Sequence, residues 1–219
     1  MKDLVFWGAT GQARVLREAL GPLDYTLLAI FDNRRLLSPF DDVPIHLGKE
    51  GFEAWIAKRH DPSELHGCVA IGGAQGADRL DIQLWLSARG VVPLTVVHPR
   101  AFVASNASIG HGSQILAMAA VCANAKLGRS VIVNTSASID HDCVVGDGVH
   151  VGPGAHVTGE VEIGEYAFIG AGAVVLPGVR IGSGAVVGAG ATVTRNVRPG
   201  QKVVGTPANM LRHSRTSES

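Results

Sequence analysis

From Val103 to Val193 an aliphatic residue returns at every sixth position, sixteen times in succession and without a miss. Four residues after each stands a small or short branched one, from Ala107, Ser113 and Ala119 through Cys143 to Val197. Glycine often follows the aliphatic directly, as in Ile163-Gly164, Ile169-Gly170, Ile181-Gly182 and Val187-Gly188. A period of six is neither the helical period nor the alternation of a strand; it is that of a hexapeptide β-helix. Each hexad then supplies one short strand and one corner, and three hexads make a coil of eighteen residues, triangular in section. The aliphatic residue points inward, the small one fills the remaining space, and glycine permits corner conformations that a Cβ opposes. Coils stack at a strand spacing of roughly 4.8 Å, so residues eighteen apart lie above one another and nearest-neighbour stacking buries a continuous core. A flat sheet rich in Val and Gly would not keep this register through sixteen units.

The repeat takes only the C-terminal part of the 219 residues. Ahead of it, residues 4–7 read as a buried strand, followed by Gly8-Ala9-Thr10-Gly11-Gln12 and a helix to about Leu20. A second strand over 25–31 ends at Asp32-Asn33. A helix over 52–60, a strand over 67–71 running into Gly72-Gly73, a helix over 78–89 and a strand over 94–97 complete the segment. Alternating strands and helices predict a small parallel α/β sheet of Rossmann type over residues 1–98. The prism and a polar, frayed tail (212–219) fill 99–219. No linker separates the two parts, which predicts rigid packing. Lys plus Arg and Asp plus Glu balance at 19 each with no basic run, which argues against nucleic acid as a partner. The first strand begins at the N-terminus without a signal peptide, and no apolar stretch approaches a membrane span. Three dispersed cysteines, Cys68, Cys122 and Cys143, suit a reducing cytoplasm, and Cys143 falls on a core-filling position.

Gly8 to Gly11 follow a strand and open a helix, the place where backbone amides and the helix dipole hold a phosphate. Asp32 ends the second strand, where an acid commonly takes a ribose hydroxyl. The loop is G-x-x-G rather than the full dinucleotide fingerprint. The small domain favours a truncated site for a nucleotide-linked substrate, with Gly72-Gly73 as a second loop; a dinucleotide site and a purely structural turn are the alternatives.

In the prism, Asp140-His141-Asp142 forms a corner after Ile139, and His150 and His156 stand at hexad-final positions. A histidine beside a carboxylate is a base of raised basicity and fixed orientation. Gly159 lies eighteen residues after His141, hence over it on the next coil, where a backbone N–H could stabilise an oxyanion. Metal binding is the rival. Some prismatic proteins, the γ-class carbonic anhydrases, share zinc among three histidines, but His111, His141, His150 and His156 lack that spacing and point to different faces. The expectation is no metal site, with His156 on the surface.

These motifs together resemble the bacterial sugar acyltransferases that join a Rossmann-like domain to a left-handed hexapeptide β-helix. The resemblance rests on Gly8-Ala9-Thr10-Gly11-Gln12, Asp32-Asn33, Ile71-Gly72-Gly73, Ile139 to Asp147, His150-Val151 and Gly205-Thr206-Pro207-Ala208. That family includes sialic acid O-acetyltransferases and N-acetyltransferases of nucleotide-linked 4-amino-4,6-dideoxy sugars; the chain looks most like the members that act on GDP-perosamine. The resemblance implies a cytoplasmic homotrimer using acetyl-CoA, active between subunits, in surface polysaccharide (O-antigen) synthesis. It makes His141 the general base toward the C4 amine, Asp142 its partner and the Gly159 amide the oxyanion donor. His150, Gly170, Ala171, Gly188, Ala189 and Pro207 would contact the cofactor. Gly8, Thr10, Gly11, Gln12, Asp32, Asn33, Gly72 and Gly73 would hold the nucleotide sugar. Relatives often have His at Gln12 and a second acid at Asn33, so base and sugar identity stay open. Sugar O-acetylation and a non-catalytic or metal-dependent prism are the alternatives. Cys143, in its core position, is not expected to form an acyl-enzyme.

Overall fold

A computed structural model of the chain describes residues 1–21, 23–59 and 64–211. The N-terminal part is a five-stranded parallel sheet. Its elements are β1 (Lys2–Trp7), α1 (Gly11–Leu20), β2 (Tyr25–Asp32), β3 (Ile45–Leu47), α2 (Gly48–Ile56), β4 (Leu65–Val69), α3 (Gly76–Ser87) and β5 (Val92–Pro93). The strand order β3-β2-β1-β4-β5 turns back at β1, leaving a crevice at the carboxyl ends of β1 and β4. Leu4, Val5, Phe6 and Trp7 are buried on both faces, which is why β1 reads as an unbroken apolar run. On α1, Ala13, Leu16 and Leu20 recur at helical spacing and bury one face.

Sequence and structure differ at several boundaries. The three-residue β3 is too short to announce itself. The second helix runs over Gly48–Ile56 rather than from Phe52 to His60, since the chain turns away at Ala57; His60 itself lies outside the described residues, as does the tail over 212–219. The strand expected over 94–97 divides between two sheets. Val92–Pro93 pairs with β4, whereas β6 (Val96–Val97) pairs with Gln114–Ile115 of the prism. The changeover is made by Leu94 N donating to Gly67 O and Val96 N to Ser113 O. Thus the first prism strand precedes residue 99 and is one hexad earlier than Val103.

From Val96 onward the chain winds around three parallel sheets. The first face stacks Val103, Val121, Ile139, Val157, Val175 and Val193. The second stacks Ile109, Leu127, Val145, Ile163 and Ile181. The third stacks Val97, Ile115, Val133, Val151, Ile169 and Val187, continued by Val203. The aliphatics and the small residues four places on, Cys143 among them, form one core. Cys143 is buried, its Sγ donating to Thr158 O, and burial pushes its thiol pKa up.

The N-terminal sheet sits on the third face. Ala13 and Leu16 of α1 join Leu116, Ile132 and Val96 of the prism in a single apolar cluster. Helix α3 adds a polar fastening. Arg79 is fully buried and donates to Ser130 O at 2.9 Å, Ile71 O at 2.8 Å and Gly148 O at 2.7 Å. Among the described residues no carboxylate pairs with it, and burial lowers its pKa to about 10. Gly76, at the start of α3, presses against Gly148 so closely that a Cβ there would strike the carbonyl oxygen. The seam is continuous core rather than a hinge.

Candidate active site

The corner after Ile139 is organised around a strained residue. Asp142 has φ of +58°, a left-handed conformation that Asp tolerates better than most. There its Oδ2 lies 2.9 Å from His141 Nδ1, and Asp140 Oδ1 accepts the His141 backbone N–H at 2.7 Å. The Asp142 hydrogen bond raises the His141 pKa above its ordinary value, with Asp140 and Glu160 adding to it. Asp142 is in turn held below the usual carboxylate range by His141 and then Asn124. An ionised carboxylate only accepts, so Nδ1 carries the proton and Nε2 the lone pair. The ring stands against Gly159: a Cβ built there would lie 2.5 Å from both Nε2 and Cε1. Among the described residues the Gly159 N–H has no hydrogen-bond acceptor. A half-exposed base and a free backbone donor therefore adjoin one another, as general-base attack on a carbonyl requires.

A second site opens at the carboxyl ends of β1 and β4, a pocket of roughly 540 Å³. Gly8, Thr10, Asn33 and Gly72 line it, with Gly11 and Gln12 beginning α1 beside it. Gly8 is required there: its φ is +112° and a Cβ would lie 2.5 Å from Ala70 O. Gly11 has open space where a side chain would go. Asp32 also lines the pocket; it is buried, and Ala9 N, Arg34 N and the Arg34 guanidinium donate to its two carboxylate oxygens. Burial opposes its ionisation, yet these donors outweigh that and hold its pKa low. Asp32 thus ties the Gly8–Thr10 loop to the end of β2 and aims Arg34. The pocket wall gains Arg34, Lys49, Asp78 and Asp81, none of which sequence motifs had marked.

Gln12 is oriented by the prism. Gln114 Nε2 donates to Val69 O at 2.8 Å, so its Oε1 must accept from Gln12 Nε2, at 2.6 Å. The Gln12 side-chain oxygen and His150 Cε1 both lie beside Gly72. His150 is buried beneath the second loop, with Nδ1 3.2 Å from Gly73 O and Nε2 3.1 Å from Asn134 Nδ2, so both ring nitrogens are engaged within the chain. Burial, helped by nearby Arg79, lowers its pKa to about 4 and keeps it neutral.

The remaining positions separate by edge. Gly170-Ala171, Gly188-Ala189 and the Gly205–Ala208 loop share the edge between the third and first faces, where Ala208 N donates to Thr192 O and Thr206 Oγ1 to Gly190 O. Pro207 follows a cis peptide in that loop. Among the described residues the Ala171 and Ala189 amides have no acceptor, as a row that binds an extended amide-bearing chain needs. His141 and Gly159 lie on the edge between first and second faces, opposite the third face, on which the N-terminal sheet and its pocket sit. Within one chain, base and pocket are on opposite sides of the prism. His156 is exposed, on the first face, bonded to Ser138. Among the described residues no group of three or more His, Cys, Asp or Glu is placed to hold a metal, and no helix is long and apolar enough to cross a membrane.

The family pattern described as bacterial transferase hexapeptide (six repeats) matches residues 160–195. No protein with a curated description matches the sequence. Among solved structures, PerB from Caulobacter crescentus, in complex with CoA and GDP-perosamine, is 31% identical over 97% of this chain and 98% of its own, with a TM-score of 0.86. The acetyltransferase domain of PglB from Neisseria gonorrhoeae, in complex with acetyl coenzyme A, is 33% identical over 96% of this chain and 99% of its own, with a TM-score of 0.84. WeeI from Acinetobacter baumannii is 29% identical over 96% and 100%, with a TM-score of 0.82.

Proposed function

The chain belongs to the family of acetyl-CoA-dependent nucleotide-sugar N-acetyltransferases built on hexapeptide-repeat β-helices, and from that premise we propose that it acetylates the C4 amine of a nucleotide-linked 4-amino-4,6-dideoxy sugar, GDP-perosamine being the leading substrate. The observation that carries the chemistry is the Asp142–His141–Gly159 arrangement: a base with its lone pair on Nε2, beside an unoccupied backbone donor.

Acetyl-CoA supplies the acetyl group, and the chain supplies position and proton transfer. The left-handed prism would hold the cofactor along the Ala171 and Ala189 amides, closed by the loop containing Pro207. The Rossmann-like domain would hold the nucleotide, with its phosphates near the Gly11 and Gln12 amides and Arg34. As the amine attacks, His141 Nε2 accepts its proton and Asp142 offsets the charge on the ring. The Gly159 N–H would donate toward the carbonyl oxygen as negative charge develops there, and collapse of the tetrahedral intermediate would break the C–S bond, the CoA thiolate leaving with the proton held on His141. The amine needs no protein nucleophile, because attack on a thioester is fast once the amine is deprotonated and positioned.

What supports a shared site is the opposition of base and pocket on one prism. A homotrimer would bring the His141 edge of one chain to the nucleotide pocket of the next. Acetylation would then precede use of the sugar in surface polysaccharide synthesis. The test is thiol release from acetyl-CoA with a panel of GDP- and UDP-linked amino and hydroxy sugars. Release with the 4-amino sugars is expected. Release only with hydroxyl acceptors would assign O-acetylation instead, and light scattering showing a stable monomer would contradict the shared site.

A further inference from the structure

Below Asp142, on the same corner, stand Asn124 and Asn106, each eighteen residues before the next. Their side chains form a ladder: Asn106 Nδ2 donates to Asn124 Oδ1 at 2.8 Å, and Asn124 Nδ2 donates to Asp142 Oδ1 at 3.0 Å. The Asn124 backbone N–H donates to Asn106 Oδ1 at 3.2 Å. From this ladder we infer that Asn124 is a positioning residue for the base, fixing the Asp142 carboxylate so that His141 keeps its proton on Nδ1 and its lone pair on Nε2. The inference rests on the acetyl-transfer reading only for its kinetic consequence.

The polarity of the ladder follows from the groups themselves. Ionised Asp142 can only accept, so Asn124 must turn its Nδ2 upward and its Oδ1 down to Asn106. With Asp142 Oδ1 taken by Asn124, Oδ2 is the oxygen that meets His141 Nδ1 at 2.9 Å. The need for a second anchor is visible in the exposure of the pair, since the side chains of His141 and Asp142 are 53% and 50% exposed. A carboxylate this open, held by one neighbour alone, would rotate and share its oxygens with water.

The backbone admits asparagine here but does not demand it. Asn124 has φ of +60°, and at the same place in other hexads the chain uses glycine, as at Gly148, Gly154, Gly172 and Gly190, with φ between 63° and 67°. Glycine takes this conformation without the strain a side chain brings. Among the described residues seven non-glycine residues occupy the left-handed region, and two of them are Asn124 and its acceptor Asp142. What asparagine adds at 124, beyond fitting this backbone, is the amide that it presents to Asp142.

Asn124→Gly removes that amide with a residue the prism already uses at this corner. Protein labelled with ¹⁵N-histidine, compared with His141→Asn to assign the resonance, reports the His141 tautomer directly. In the wild type above its titration, His141 is expected as the Nδ1–H form; in Asn124→Gly the Nε2–H form appears. With GDP-perosamine and acetyl-CoA, kcat is expected to fall about tenfold while both KM values stay within about twofold, and Tm stays close to wild type. Asn124→Asp, equal in shape but without the donor, serves where the glycine variant does not fold and is expected to show the same tautomer change. An unchanged Nδ1–H form in either variant overturns the inference, as does a kcat loss that only tracks a loss of Tm. Absence of transfer by the wild type would overturn the catalytic reading instead, and the tautomer would still decide the role of Asn124.

Discussion

Gly159→Ala is a change whose consequence can be worked from geometry. A Cβ at this position lies 2.5 Å from Nε2 and Cε1 of His141 and 3.2 Å from Cδ2, and those are its three nearest atoms. Gly159 is not among the glycines of positive φ, so alanine meets no backbone strain. The whole conflict falls on the imidazole, which is half exposed and can swing outward. To regain ordinary contact at 3.4 Å the ring must retreat by about 0.9 Å. Misplacing a catalytic group by about 1 Å costs on the order of 100-fold, equivalent to about 2.7 kcal/mol of barrier. Thiol release from acetyl-CoA with saturating nucleotide sugar should therefore drop about 100-fold in kcat, with melting temperature within a few degrees of wild type. Wild-type turnover in a folded Gly159→Ala protein would refute the placement of the base against this corner.

Other expectations follow from the same contacts. Asp142 raises the His141 pKa, and the base must be neutral, so activity is lost as pH falls through that raised value; Asp142→Asn should shift the acidic limb of the kcat/KM profile to lower pH and reduce its plateau. His150 has a pKa of about 4 when folded against 6.5 ordinarily, so its contribution to stability is complete above about pH 6.5 and lost as pH falls through about 4. That contribution is at most about 3 kcal/mol, and His150→Gln should flatten this part of the acid-denaturation curve. Arg79→Met leaves three carbonyl oxygens inside the seam without their donor and should cost about 3 kcal/mol or more, read as a fall in Tm. Arg79→Lys should not restore it, because one ammonium cannot reach Ser130, Ile71 and Gly148 together.

The prism was legible because its signal is local and repeated: each hexad states its inward residue, and the stacking rule of eighteen follows. That rule places Gly159 over His141, and applied downward it also connects Asp142 to Asn124 and Asn106. The N-terminal elements were legible as alternating apolar runs, with boundaries off by several residues where Pro93 and a three-residue strand interrupt the pattern. The placement of Asp32 at the pocket was legible from its position at a strand end, whereas its pairing with Arg34, two residues on, carried no signal of its own. Arg79 carried no signal, since its acceptors at Ser130 and Gly148 lie 51 and 69 residues away in sequence. His150 stands at an outward hexad position, and only the docking of the N-terminal sheet makes that position an interior.

The central claim is that the His141 imidazole takes the proton from the acceptor amine. The most direct measurement is the rate of CoA release with acetyl-CoA and GDP-perosamine for wild type and His141→Asn, at a pH above the titration of the wild-type base. Removing a general base typically costs 100- to 10,000-fold; a loss of about that size in kcat, with KM for both substrates little changed and the acetylated sugar as the wild-type product, is the predicted result. Equal turnover by the two proteins would contradict the assignment of His141 and with it the mechanism built on this corner.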